Sequence, residues 1–176
     1  MLLIMSLEAF KTRVLPVKDK LYRFTLRLLK NEDEAKDVVQ ETMIKVWNKR
    51  DEMHTYENME AWCMRVARNL SLDKLKSKHN RSVDLESAYQ LQSNDQSPYS
   101  STEQSDTMQA VYNYINQLPE MQKQAIQLRD VDGFSYQEIS EILSQNINTV
   151  KVNLFRARKY VREQLLNVNA YGLKTD

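Results

Sequence analysis

Apolar residues recur along this chain at spacings of three and four, which is the pattern of helices that each bury one stripe. Leu21, Phe24, Leu28 and Leu29 form the first such stripe, with Pro16 near the start of that helix or kinking it. Asn31 followed by Glu34 is a capping pair for a second helix. That helix buries Ala35, Val38, Val39, Met43 and Val46, with Trp47 near its end. A third helix, opened by Asn58, buries Met59, Trp62, Cys63, Val66, Ala67 and Leu70. Met108, Val111, Tyr112, Ile115 and Leu118 lie on one face of a fourth. Leu118-Pro119-Glu120 then starts a helix with Pro at its first position, burying Ala125, Ile126 and Leu128.

The stretch from Gly133 to Arg162 carries the strongest pattern. Asp132-Gly133 makes a turn, and Ser135 with Glu138 has capping-box spacing, so a helix starts at Tyr136. Ile139, Ile142 and Leu143 are its apolar face, and Ser144, Gln145 and Asn146 are turn residues. Ile147, Val150, Leu154, Ala157 and Val161 form the buried stripe of a second helix. Its opposite face carries Asn148, Thr149, Lys151, Val152, Phe155, Arg156 and Lys159. From Ser144 to Arg162 there are five Lys or Arg and no Asp or Glu. Two short helices, a tight turn and one-sided positive charge are the build of a helix-turn-helix whose second helix enters the DNA major groove. A helical hairpin with a merely solvated basic face is the plainer alternative.

Residues 82–107 differ from both flanks: they hold seven Ser, five acidic residues and no basic residue, with Pro98 in the middle. So little apolar surface cannot offset the entropy of ordering, and the segment reads as a flexible acidic linker. The expected organisation is all-α: a first helical domain over 1–81, a linker over 82–106 and a second helical domain over 107–176. Two Gly in 176 residues, with abundant Lys, Glu, Gln, Leu and Met, agree with that class.

The net charge is only +1, so the chain is not basic throughout; the charge is segregated. Glu32 to Glu60 holds nine acids and four bases, whereas Arg65 to Arg81 holds six Lys or Arg and only Asp73 as an acid. The first domain therefore presents an acidic face around Asp37, Gln40, Glu41 and Lys45, and a basic helix end with Tyr56 and Trp62 just upstream. Basic residues beside aromatics suit single-stranded DNA, through phosphate contacts and stacking. A single cysteine excludes an internal disulfide and fits a reducing cytoplasm, and its place on an apolar stripe makes it a buried hydrophobe. The apolar MLLIM tip is too short for a signal-peptide core, Met5 is a candidate start, and no apolar run approaches the length of a membrane span. His54 and His79 are in no metal-ligand spacing, and there is no Gly-rich phosphate loop. No catalytic constellation, cofactor or metal is expected, and an enzyme is disfavoured.

Three strings carry a family resemblance: DEAKDVVQETMIKVWNKRDEM, MEAWCMRVARNLSLDKLKSKHNR and LPEMQKQAIQLRDVDGFSYQEISEILSQNINTVKVNLFRARKYVREQL. Together they resemble the extracytoplasmic-function group of the sigma-70 superfamily, the small sigma factors of bacterial RNA polymerase. The resemblance covers about residues 6–80 and 107–166 in order. It implies that the chain binds core RNA polymerase and promoter DNA in the cytoplasm, under a dedicated anti-sigma factor and without membrane insertion of its own. It implies that Asp37, Gln40 and Glu41, with Ile44 and Lys45 on the same face, dock on the polymerase clamp. The helix through Trp62, Arg68, Asn69 and Asp73 would open the minus-ten element, and the loop Tyr56, Glu57, Asn58 and Met59 would hold a flipped base. Arg65, Arg68, Lys74, Lys76 and Lys78 would contact the promoter backbone.

For the second domain the resemblance assigns the helix from Asn148 to Arg158 to the minus-thirty-five element, with Thr149, Lys151, Val152, Asn153, Phe155 and Arg156 as candidate contacts. Arg158 and Lys159 would clamp phosphates. Phe155 either packs under the helix or meets a thymine methyl. The chain departs from the family at Ser144-Gln145-Asn146, where Gly and Pro are frequent, and at Val152-Asn153, where Arg or Ser is frequent after the T-V-K string. A two-domain DNA-binding regulator that does not join polymerase would explain the helix-turn-helix but not the acidic face. A helical protein adaptor would explain neither basic surface.

Overall fold

The computed structural model describes residues 7–85 and 106–172. The apolar tip, most of the expected linker and the last four residues of the chain lie outside the described residues. Every regular element among the described residues is helical. The chain divides into two compact units, split between Ser100 and Ser101.

The first unit contains α1 (Leu7–Arg13), α2 (Lys18–Leu29), α3 (Glu32–Asn48) and α4 (Met59–Leu85), with 3-10 turns at Leu15–Val17 and Arg50–Thr55. Pro16 sits in the turn that leads into α2. Lys30, in the left-handed region at φ 52°, ends α2, and two residues later α3 begins. The Asn31 side chain accepts the Glu34 amide at 3.0 Å, and Asn58 accepts the Ala61 amide at 3.0 Å, so both expected caps are present. Each cap satisfies an amide that the first turn of a helix leaves without a partner.

Three stripes meet in the core: Leu21, Phe24, Leu28 and Leu29 of α2; Ala35, Val38, Val39 and Val46 of α3; Ala61, Cys63, Met64, Ala67 and Leu70 of α4. Small residues at Ala61, Cys63 and Ala67 let α4 lie close against both partners. The core's hydroxyls are satisfied within their own helices, Thr25 by the Leu21 carbonyl, Thr42 by Val38 and Ser71 by Ala67. α1 buries no residue and is tied down by Phe10, whose ring meets Trp47 edge-on at 5.3 Å.

Several expectations shift. Met43, Trp47, Met59, Trp62 and Val66 are half-buried rather than buried. Trp62 leans out of the core to stack on Tyr56, and Trp47 is shared between Phe10 and the Arg50 guanidinium. α4 continues past residue 81 to Leu85, because neither Gly nor Pro stands there to stop it.

The second unit contains α5 (Asp106–Asn116), α6 (Glu120–Ile126), a π-helical turn (Gln127–Val131), α7 (Tyr136–Leu143) and α8 (Ile147–Gly172). Pro119 is the N-cap of α6, one position earlier than expected. Its core is Ile115, Leu118, Ala125, Ile126, Leu128, Phe134, Ile139, Ile142, Leu143, Val150, Leu154, Ala157 and Val161. The expected stripe of α8 is buried except at Ile147, which is half-buried. Tyr160 donates its hydroxyl to Gln117 at 2.8 Å, fixing the middle of α8 to the end of α5.

Cys63 is fully buried, and burial, aided by the charge of Glu60, pushes its thiol up to about 12. Because the folded state holds the proton more tightly than the unfolded chain does, thiolate forms at mildly alkaline pH only on unfolding. A thiol reagent at about pH 8.5 should therefore leave native Cys63 unmodified and label it fully in denaturant. Labelling of the native protein at the rate of a free thiol would contradict this packing.

Candidate nucleic-acid and partner interfaces

In the first unit, α3 turns Asp37, Gln40, Glu41, Ile44 and Lys45 outward, and Ile44 is 59% exposed. Ile44 is thus an exposed apolar side chain among polar ones, and beside it Lys45 reaches back to Glu41 at 3.3 Å. The expected acidic face is thus assembled on one helix side, with the valines of the same string directed inward.

The basic half of α4 is not independent of that face. Lys74 lies 3.6 Å from Asp37, and Lys78 lies 2.7 Å from Glu34. These two lysines, expected on the promoter backbone, bridge α4 to α3 along the edge where the acidic and basic surfaces meet. Arg65, Asn69, Asp73 and Lys76 are exposed. Arg68 is not: it is only 8% exposed, on the helix row that it shares with the buried Met64 and Ser71. Arg68, expected on the promoter backbone, is thus largely covered within the first unit. Upstream, Tyr56 stacks on Trp62 with ring centroids 4.7 Å apart and a tilt of 33°. Glu57 beside them is exposed, and Asn58 and Met59 are half-buried. An aromatic pair at the mouth of a basic helix is a platform on which an unstacked base can rest.

In the second unit the helix-turn-helix is built as the spacing predicts. The Glu138 amide donates to the Ser135 hydroxyl at 3.2 Å, and the Ser135 amide donates to the Glu138 carboxylate at 2.7 Å, closing the capping box. Ser144 takes the left-handed conformation at φ 52°, so the turn needs no glycine there. Ser140 donates to the Gln145 carbonyl at 2.6 Å, and the Asn146 side chain accepts the Asn148 amide at 2.8 Å. Asn146 is thus both turn residue and cap of α8. Those side-chain bonds explain why the turn tolerates Ser-Gln-Asn in place of Gly and Pro.

The outward face of α8 presents Asn148, Thr149, Lys151, Val152, Phe155, Arg156 and Lys159. Phe155 is 69% exposed, which excludes packing beneath the helix. Asn153 is half-buried and donates one N–H to the Thr149 carbonyl at 3.0 Å. Lys159 lies 3.8 Å from Glu163.

Arg158 departs most from expectation. Its Nε donates to Asp130 Oδ2 at 2.9 Å and its terminal nitrogen to Oδ1 at 2.5 Å, a two-pronged pair across 28 residues. Hydrogen bonding to Asp130 raises its already high pKa, with a smaller contribution from Tyr136. Tyr136 in turn lies beneath Arg129 at 4.9 Å, and Arg129 donates to the Phe134 carbonyl at 2.8 Å. The π turn makes this possible: the Asp132 amide reaches back to the Gln127 carbonyl at 3.0 Å, and the extra residue in that turn swings Asp130 toward α8. Neither Asp130 nor Tyr136 was expected at the site. A π turn leaves no periodic mark in an apolar pattern, and a pairing over such a separation has no local signal.

Arg158, expected to clamp a phosphate, is engaged by Asp130 and ties α8 to the preceding turn. Arg158→Gln should lower stability by about 0.5–1 kcal/mol, as for a half-exposed ion pair of good geometry. Asp130→Asn should do the same. The salt dependence of duplex binding should keep its slope in both variants. A slope reduced by about one in Arg158→Gln alone would restore the phosphate contact.

Comparison with known proteins agrees with this geometry. The sigma-70 region 2 profile matches residues 14–81, and the sigma-70 region 4 profile matches residues 108–161. The chain is 30% identical over 167 residues to the ECF RNA polymerase sigma factor SigW of Bacillus subtilis, covering 90% of this chain and 89% of that one. It is 31% identical over 149 residues to RNA polymerase sigma factor SigV of the same organism, covering 84% and 86%. Among solved structures, the sigma factor RpoE of Bartonella quintana, crystallised with the anti-sigma factor NepR, is similar with a TM-score of 0.70 and 28% identity, over 90% of this chain and 98% of that one. With matching profiles in both units and relatives similar over nearly their whole length, the chain belongs to the extracytoplasmic-function group of sigma-70 family sigma factors.

Proposed function

We propose that the chain is a promoter-specificity subunit without chemistry of its own, which joins core RNA polymerase, opens the minus-ten element and reads the minus-thirty-five element. The observation that carries this reading is the pairing of two surfaces of different kind. One is an outward α3 face mixing Asp37, Gln40 and Glu41 with exposed Ile44; the other is an acid-poor outward face on α8. A DNA-binding regulator alone needs only the second. The mixed apolar and polar α3 face is the composition of a protein interface, where polar groups set register and an apolar centre supplies affinity.

Within that reading, α3 docks on the polymerase, and Arg65, Asn69 and Lys76 of α4 approach the minus-ten strand. The stacked Tyr56 and Trp62 receive an unpaired base. Lys74 and Lys78 contribute to DNA only by leaving Asp37 and Glu34, so core docking and strand contact share residues along one edge. Asn148, Thr149, Lys151 and Arg156 face the major groove. The protein acts in the cytoplasm, where polymerase is; no helix among the described residues is long and apolar enough to cross a membrane. Because the Bartonella quintana relative was solved with an anti-sigma factor, the reading includes control by a protein of that class.

Run-off transcription with purified core polymerase tests the proposal. The chain should support initiation from its own promoters, and core alone should not. Reversing charge at Asp37 and Glu41 should weaken core binding at least tenfold while the circular dichroism melt stays close to wild type. Unchanged core affinity in the folded double variant would remove α3 as the docking face, and a lack of initiation with the wild-type chain would favour a regulator that does not join polymerase.

A further inference from the structure

The outward face of α8 is polar and basic except at its centre. At about 3.6 residues per turn, Val152 lies opposite the buried stripe of Val150, Leu154, Ala157 and Val161. Its neighbours one turn away in either direction are Asn148, Thr149, Phe155 and Arg156, all exposed. Val152 is 47% exposed and Phe155 69%. The most protruding position of a helix built to enter the major groove is thus an apolar side chain, with a second beside it one turn on. Asn153, the adjacent amide, is half-buried and has one N–H turned to the Thr149 carbonyl.

The chemistry of the groove limits what such a pair can accept. Adenine and guanine present N7 with an amine or a carbonyl, and cytosine presents an amine; an apolar side chain set against any of these leaves a polar group desolvated without a partner. Thymine alone presents a methyl group there. Side chains at i and i+3 lie about 5–6 Å apart, which matches neighbouring base pairs better than distant ones. Lys151, Arg156 and Lys159 around the patch, with no acid between Ser144 and Arg162, match a phosphate-lined groove rather than an apolar protein surface.

We infer that Val152 and Phe155 are specificity-determining residues that select thymine at one or two adjacent positions of the minus-thirty-five element, by contact with the thymine methyl groups. This rests on the reading of α8 as the helix that meets that element. It assigns the selected bases to apolar contact rather than hydrogen bonding.

The test uses holoenzyme assembled from the full chain and core polymerase. Promoters randomised across the minus-thirty-five element are selected by binding, and each enriched thymine is then replaced by deoxyuridine, which lacks only the methyl. Wild-type holoenzyme should enrich thymine and lose about fourfold in affinity per methyl removed, the equivalent of ~0.8 kcal/mol for one buried methyl-sized group. Val152→Ala and Phe155→Ala should each lose sensitivity to deoxyuridine at one position. Val152→Thr, which keeps a methyl on the same branched frame, should retain part of it. Both side chains are exposed, so thermal melts of the variants should match wild type. If thymine is not enriched, or deoxyuridine is neutral while other minus-thirty-five positions are still selected, the inference is overturned and α8 remains the reader. If no minus-thirty-five position is selected at all, the reading of α8 fails and this inference with it.

Discussion

Each unit of this protein is too small to bury more than one stripe per helix, and that constraint governs everything outside the core. α3 sinks Ala35, Val38, Val39 and Val46, so Asp37, Gln40, Glu41 and Ile44 are left outside. α8 sinks Val150, Leu154, Ala157 and Val161, which leaves Val152, Phe155 and Arg156 to the solvent. Domains of this size expose a large share of their chain and have little stability to spare.

Polar ties along the helix edges add to the packing that sets the angle of the outward faces. In the first unit, the pairs Lys74–Asp37 and Lys78–Glu34 stitch α4 to α3. Lys20 of α2 pairs with Glu60 at the start of α4. In the second, Asp130 in the π turn grips Arg158, and the capping box starts α7 in register. Rigid presentation lowers the entropy cost of binding, which suits helices that must match a duplex or a polymerase surface.

Most of the secondary structure was legible because its signals are local. Asn31, Asn58 and Ser135 announce helix starts with polar side chains at fixed offsets, and the apolar stripes of α2, α3, α7 and α8 follow a simple period. What was not legible depended on tertiary geometry. Arg68 reads as one more base in a basic run, yet it is buried on a row shared with Met64 and Ser71. Arg158 reads as part of a basic reading helix, yet its partner Asp130 is 28 residues away and is aimed by a π turn. The fate of Phe155 was open until the packing of Leu154 and Ala157 fixed the rotation of α8. The outward face of α8 and the basic surface beside Tyr56 and Trp62 were legible as DNA-facing from spacing and charge, whereas docking on polymerase and the assignment to promoter elements came from resemblance.

The central claim is that one chain brings both a duplex reader and a strand-opening helix to the same promoter, and that opening needs polymerase. Permanganate reactivity of thymines around the start site measures this directly. With core polymerase and the chain together, thymines in the minus-ten region should become reactive; with either component alone they should stay protected. Asn69→Ala, at an exposed position of α4, should reduce that reactivity while leaving core binding intact. Reactivity produced by the chain without core, or an Asn69→Ala holoenzyme that opens DNA as wild type does, would contradict the account.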